Sequence, residues 1–205
     1  QRYLLARSLA PELVTAADVI EYDLDSTPLD AGGRESVRER FIHGEIYRKR
    51  PEIHAVVHTH SPTVVPFGVA GVALRPLFHL AAFVGDGVPN FEIRDFEAGT
   101  DLLVKSPYLG QALAKTLGGC PAALMRGHGA VTVGESLPRA DSPPAAAKST
   151  GSAAPRTARA CVVRAARPSS LRPTRRRAPL RARARRAPPC RGAARRAAAR
   201  GARGA

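Results

Sequence analysis

Tryptophan is absent from this chain, and Tyr108 is its last aromatic residue of any kind, so positions 109–205 carry none. A long stretch so poor in large apolar groups has little to bury against the entropy of ordering its backbone. Cysteine is almost as scarce. Cys120, Cys161 and Cys190 are odd in number and form no CxxC pair, which argues against a disulfide framework or a zinc finger and fits a reducing, cytoplasmic compartment. No apolar run approaches the roughly 20 residues of a membrane span, and no charged-then-apolar leader is present. The chain opens at Gln1, within what already reads as a structured segment, so its natural N-terminus is expected to lie upstream.

Acidic residues are missing from one end only. The overall net charge of +15 suggests a nucleic-acid or membrane partner until the charge is located. Of the 32 basic and 17 acidic residues, 18 and one fall in 141–205, which leaves 14 and 16 in 1–140. The body is therefore nearly neutral, and the excess sits in an Arg/Ala/Pro/Gly mixture that begins at Asp141-Ser142-Pro143-Pro144. That mixture is expected to be disordered, with at most isolated helical turns in Ala-Arg stretches. It is also what a GC-rich coding sequence yields when read out of frame, so 141–205 is expected to be a frameshift product. A genuine basic tail is the alternative, and it would bind nucleic acid only nonspecifically.

The body alternates short β-rich runs with helical spacing, the pattern of a layered α/β domain. Residues 19–24 read as a strand, 36–48 as a helix ended by Pro51, and 55–60 as a strand that stops at Ser61-Pro62. Residues 63–74 read as a helix and turn, 88–93 as a strand, 109–117 as a helix stopped by Gly118-Gly119, and 122–126 as a strand running into Gly127-His128-Gly129.

Chemistry concentrates at a few positions. His58 and His60 are two apart on a strand, so both side chains leave one face, where two imidazoles can reach one ion at about 2.1 Å. A lone HxH is commonly just surface or core histidine. The apolar lead-in and a third histidine between two glycines, His128, shift the reading toward three histidines at one metal. Ser36-Val37-Arg38-Glu39 matches a capping box, in which Glu39 would only satisfy the helix start; beside a metal the same carboxylate could be a ligand or a general base. His79 could reach the site or be a buried, hydrogen-bonded histidine. His43, on the helix face of Glu39 and Tyr47, and His54 are weaker candidates.

The run Glu39-Arg40-Phe41-Ile42-His43-Gly44-Glu45-Ile46-Tyr47, then Arg50-Pro51, Ala55-Val56-Val57-His58-Thr59-His60-Ser61-Pro62 and Leu124-Met125-Arg126-Gly127-His128-Gly129, resembles the class II aldolase/adducin family. The resemblance implies a three-layer α-β-α domain over 1–140 with a central, mainly antiparallel sheet, N-terminally truncated and C-terminally incomplete. It implies a divalent ion, Zn²⁺ first and Mn²⁺ or another as alternatives, on His58, His60 and His128. It makes Glu39 the acid/base rather than a cap, with His79 as a second catalytic candidate. The implied chemistry is carbon–carbon cleavage, aldol or decarboxylating, of a small hydroxy-carbonyl or hydroxy-acid through a metal-stabilised enolate, in a homo-oligomer, a tetramer by resemblance. Sugar-phosphate members have a Ser-Ser pair where this chain has Val37-Arg38, a loop Gly near Ser8-Leu9, and a tyrosine near Leu80. Those departures, with the His-Thr-His-Ser-Pro and Phe-His-Leu blocks, place the resemblance nearer the family's metal-dependent decarboxylases. The alternatives are an inactive truncated family member or, from another class, a non-catalytic adducin-like module, though such modules generally lack the histidines kept here.

Overall fold

The computed structural model describes residues 1–77, 79–85, 87–140 and 160–166, the last seven and Leu80 by backbone alone. Its centre is a sheet of strands β1 (Arg2–Ala6), β2 (Val19–Asp23), β3 (Ala55–Thr59), β4 (Asn90–Phe91), β5 (Ala122–Met125), β6 (Gly129–Gly134) and β7 (Ala160–Ala166). Their order across the sheet is β2-β1-β7-β3-β6-β5-β4. Every pairing is antiparallel except that of β4 with β5. The sheet is thus mainly antiparallel, as expected.

Alternation along the strands gives the sheet two apolar faces. On one, Tyr3, Leu5, Ile20, Val56, Ala123, Met125, Val131 and Val133 meet helices α1 (Arg40–Lys49) and α3 (Pro107–Leu117) through Ile42, Ile46, Leu109, Leu113 and Leu117. Fully burying a side chain of this size contributes roughly 1.5–3 kcal/mol, so this layer holds most of the domain's stability. On the other face, Leu124 and Ala130 pack against Val64 and Phe67 around helix α2 (Val65–Ala70), while Ala55 and Val57 meet Leu137 and Ala140. Helices therefore lie on both faces, a three-layer arrangement.

The boundaries follow local chemistry. Ser106 accepts from the Leu109 N–H and Pro107 follows as the first helical residue, which starts α3 two residues earlier than apolar spacing suggests. Gly110 lets α3 approach α1, because a Cβ there would lie 2.5 Å from the Phe41 carbonyl oxygen. Helix α1 starts at Arg40, not Ser36, so the capping-box reading fails: Glu39 is itself the N-cap residue and makes no side-chain cap bond. The strand expected over 88–93 shrinks to Asn90–Phe91, because the chain turns into a 3-10 helix at Ile93–Asp95.

Two expectations need correction. Within the segment set apart as lacking order, Ala160–Ala166 is a strand between β1 and β3, with Val162 opposite Val57 and Val163 opposite Val56. These are the only valines of 141–205, so the one β-prone run of that segment is the run that pairs. The remainder of 141–205, and the reading of it as disordered or frameshifted, lies outside the described residues. Cys120, buried after α3, is disulfide-bonded, a single bridge where the odd cysteine count argued against a disulfide framework and for a reducing compartment. The other two cysteines both fall in 141–205, the segment that composition had discounted. Among the described residues no helix is long and apolar enough to cross a membrane.

Candidate metal centre

Strand β3 is buried along its whole length, and His58 leaves it on the face of Val56, toward α1 and α3. His60 follows just past the strand's end on the same side, with half of its side chain exposed. His128 sits in the turn between β5 and β6, and β6 pairs with β3 so that Thr59 stands opposite Ala130 and His58 opposite Val131. Histidines distant in sequence are therefore brought together by one ladder. The glycines beside His128 have separate reasons. Gly127 has φ +73°, and at Gly129 a Cβ would fall 2.1 Å from the Thr59 carbonyl oxygen.

The three Nε2 atoms form a tight triangle. His58 to His60 is 2.9 Å, His58 to His128 is 3.2 Å and His60 to His128 is 2.8 Å. Glu39, at the start of α1, places Oε2 3.4 Å from His58 Nε2, 3.4 Å from His128 Nε2 and 3.9 Å from His60 Nε2. Its other oxygen, Oε1, accepts from the Val104 N–H at 3.2 Å.

The outer ring nitrogens decide what this triangle is suited to hold. His58 Nδ1 lies 3.1 Å from the Ala130 carbonyl oxygen, and His128 Nδ1 lies 2.8 Å from that of Leu102. A carbonyl oxygen only accepts, so both Nδ1 atoms must donate. In the neutral rings each Nε2 then carries a lone pair, and these lone pairs converge on one point. Converging lone pairs repel unless a cation lies between them. A tetrahedral ion with bonds of about 2.1 Å sets its ligands about 3.4 Å apart, close to the observed spacing. The four residues Glu39, His58, His60 and His128 thus fit a divalent ion, each offering one ligand atom.

Electrostatics agree. Burial alone would raise the pKa of Glu39, but the His128 and His58 rings, which donate to it from Nε2 when protonated, outweigh burial and hold the carboxyl well below its usual range. Burial opposes a charge on His128, yet the Glu39 carboxylate reverses the balance and raises its pKa. The cluster is closed on the protein side and open at His60, the exposed member. His79 is not in this cluster; it stands exposed at the start of the 3-10 helix His79–Val84. His43 is buried one turn after Glu39, stacked on Tyr3, and its Nδ1 has no hydrogen-bond partner. The groups that sequence reasoning missed are main-chain ones, the Leu102 and Ala130 carbonyls and the Val104 N–H, which no residue type announces.

The family described as Class II Aldolase and Adducin N-terminal domain matches residues 4–141. The chain belongs to that family. Among its class II aldolase relatives, the decarboxylase tropJ of Talaromyces stipitatus is 39% identical over 149 residues, 66% of this chain and 56% of that protein. The 3,4-dihydroxyphthalate decarboxylase of Arthrobacter keyseri is 31% identical over 146 residues, 67% of this chain and 58% of that one. The chain therefore spans somewhat more than half the length of these relatives. The L-fuculose-1-phosphate aldolase of Thermus thermophilus shares the fold, with a TM-score of 0.54 at 20% identity over 73% of this chain and 79% of that one. Decarboxylases among the relatives agree with the branch of the class II aldolase family that the sequence resembles.

Proposed function

We propose that this class II aldolase-family chain is the metal-binding body of a lyase that breaks a carbon–carbon bond in a small hydroxylated carboxylic acid and releases CO₂. The observation that carries the reading is the pair of inward lone pairs on His58 and His128, fixed by carbonyls behind them and faced by a carboxylate. His58, His60 and His128 would hold the ion, Zn²⁺ first and Mn²⁺ as the alternative. When bound, it supplies Lewis acidity toward the substrate's neighbouring oxygens.

The chain's own groups supply the rest. Val104 ties one Glu39 oxygen, so the other is the one free to take or give a proton beside the substrate. The exposed side of His60 is the approach route. Glu39 is the acid/base of this reading; His79, exposed and apart from the four, is the second candidate. The decarboxylating outcome is favoured over aldol cleavage by the relatives' names and by Val37-Arg38 and Leu80, which stand where sugar-phosphate members have other residues. A homotetramer in the cytoplasm belongs to the same reading.

The test is a paired assay of the metal-loaded protein. CO₂ release from 3,4-dihydroxyphthalate and related ring-bearing hydroxy-acids is measured beside cleavage of L-fuculose 1-phosphate. Turnover of a hydroxy-acid with no advantage for the phosphate is expected, and a large preference for the sugar phosphate overturns the reading. His79→Ala in the same assay separates the two proton-transfer candidates: loss of turnover there with metal retained would move the role from Glu39 to His79.

A further inference from the structure

The 100–104 loop touches the candidate centre twice, through main-chain atoms only. The Leu102 carbonyl accepts from His128 Nδ1 at 2.8 Å, and the Val104 N–H donates to Glu39 Oε1 at 3.2 Å. Between these contacts Leu102 holds φ +68°, a region that residues bearing a Cβ rarely enter and keep only when their surroundings enforce it. Those surroundings are visible. Thr100 Oγ1 accepts from the Leu102 N–H at 3.1 Å, and Asp101 Oδ1 accepts from the Leu103 N–H at 3.2 Å. Lys105 Nζ holds the other Asp101 oxygen at 3.0 Å. The Leu102 side chain packs against the main core, and its Cδ1 lies 3.5 Å from where a Cβ on Gly127 would stand. One leucine thus leans on the turn that carries His128 while its own carbonyl holds that histidine's ring.

We propose that the 100–104 loop is a clamp, with Leu102 as its positioning residue, that sets the ring of His128 and the carboxylate of Glu39 together before any ion binds. A free loop would leave His128 to rotate about its side-chain bonds and let Glu39 choose either oxygen. The left-handed Leu102 turns its carbonyl toward His128 and, two residues on, presents the Val104 N–H to Glu39. Partners behind a metal-binding histidine typically govern affinity by 10–100-fold. The inference rests on the metal-centre reading only for its affinity readout.

Two measurements on the full chain test it. In the metal-free protein, the His128 Nδ1 proton should be slow to exchange and visible in an imidazole-tuned nitrogen–proton spectrum. In Leu102→Gly, where the left-handed backbone costs nothing but the side-chain lock is gone, that signal should broaden or vanish. Zn²⁺ alone, titrated against a chromophoric chelator, should bind this variant about 10–100-fold more weakly. Leu137→Ala, which thins packing on the opposite face, should lower the melting temperature yet leave both readouts unchanged. Wild-type zinc affinity with a protected imidazole proton in Leu102→Gly overturns the clamp. If that variant does not fold, Thr100→Val, which removes only the hydroxyl, takes its place. The same losses at smaller size support the clamp, and unchanged values overturn it. Failure of the wild-type protein to bind zinc would sink the metal reading instead, while the imidazole proton would still decide the clamp.

Discussion

His128 and His43 are both largely buried and both close to Glu39, yet they stand in opposite conditions. His128 has a carbonyl behind one ring nitrogen and a carboxylate before the other, and its pKa is raised. His43 lies one turn along α1 among Tyr3 and its neighbours with an unpartnered Nδ1, and burial pushes its pKa down to about 3. Burial is common to the two. What differs is whether anything outside the ring fixes where its proton goes. A histidine with a fixed tautomer can serve as a ligand; one whose Nδ1 is buried without a partner serves as a flat, neutral packing piece.

The largest effect should come from removing a ligand. His58→Ala, His60→Ala and His128→Ala are each expected to reduce metal content from about one ion per chain toward none, whereas His43→Phe should leave it intact. Elemental analysis of the purified variants decides this. Unchanged metal in any of the three removes that residue from the set, and loss in His43→Phe would erase the contrast with His128.

Next in size is Glu39→Gln. The amide keeps the shape and can still accept from the Val104 N–H, so fold and most of the metal should survive. Turnover should fall by about 10²–10⁴-fold, the usual contribution of a general acid–base group. Near-wild-type kinetics would return Glu39 to a structural role.

The smallest effect sharpens the comparison from the side of His43. Its folded-state pKa of about 3 lies below the ordinary histidine value, so between those two pH values the unfolded chain binds a proton that the folded chain refuses. Stability from this group is complete above about pH 6.5 and is lost as pH falls toward about 3, at up to roughly 1.4 kcal/mol per pH unit. His43→Phe keeps a ring against Tyr3 and removes that slope. Urea unfolding of the metal-free proteins at pH 7 and pH 5 should show the wild type losing about 2 kcal/mol more than the variant. Parallel losses would mean that His43 is not buried neutral.

The same contrast explains what the sequence made legible. His58, His60 and His128 could be read because a two-residue period on a strand and two glycines around a histidine are patterns of residue type with a direct geometric meaning. Glu39 could not be read from local physics: Ser-x-x-Glu before an apolar run looks like a cap, and only the fold shows its carboxylate turned to Val104 and the histidines. The 100–104 clamp was illegible because its working parts are main-chain atoms and one unusual φ. Strand β1 passed unrecognised because Arg2–Ala6 shows its alternation only once the burial of Tyr3 and Leu5 is known. Strand β7 was missed because the composition of the 65-residue segment 141–205 outweighed the seven residues of it that pair.

The ladder between β3 and β6 has a consequence for folding. His58 and His128 are 70 positions apart, so an ion bound to both would close a loop of that length as a cross-link does. Chain-entropy arguments assign a covalent link over such a loop about 4 kcal/mol, drawn mainly from the freedom of the unfolded chain. A coordinate link can open, so its effect depends on free metal concentration. The centre would then act as a reversible staple between the two halves of the domain, and the melting temperature should climb with each tenfold increase in free metal even where no substrate is present.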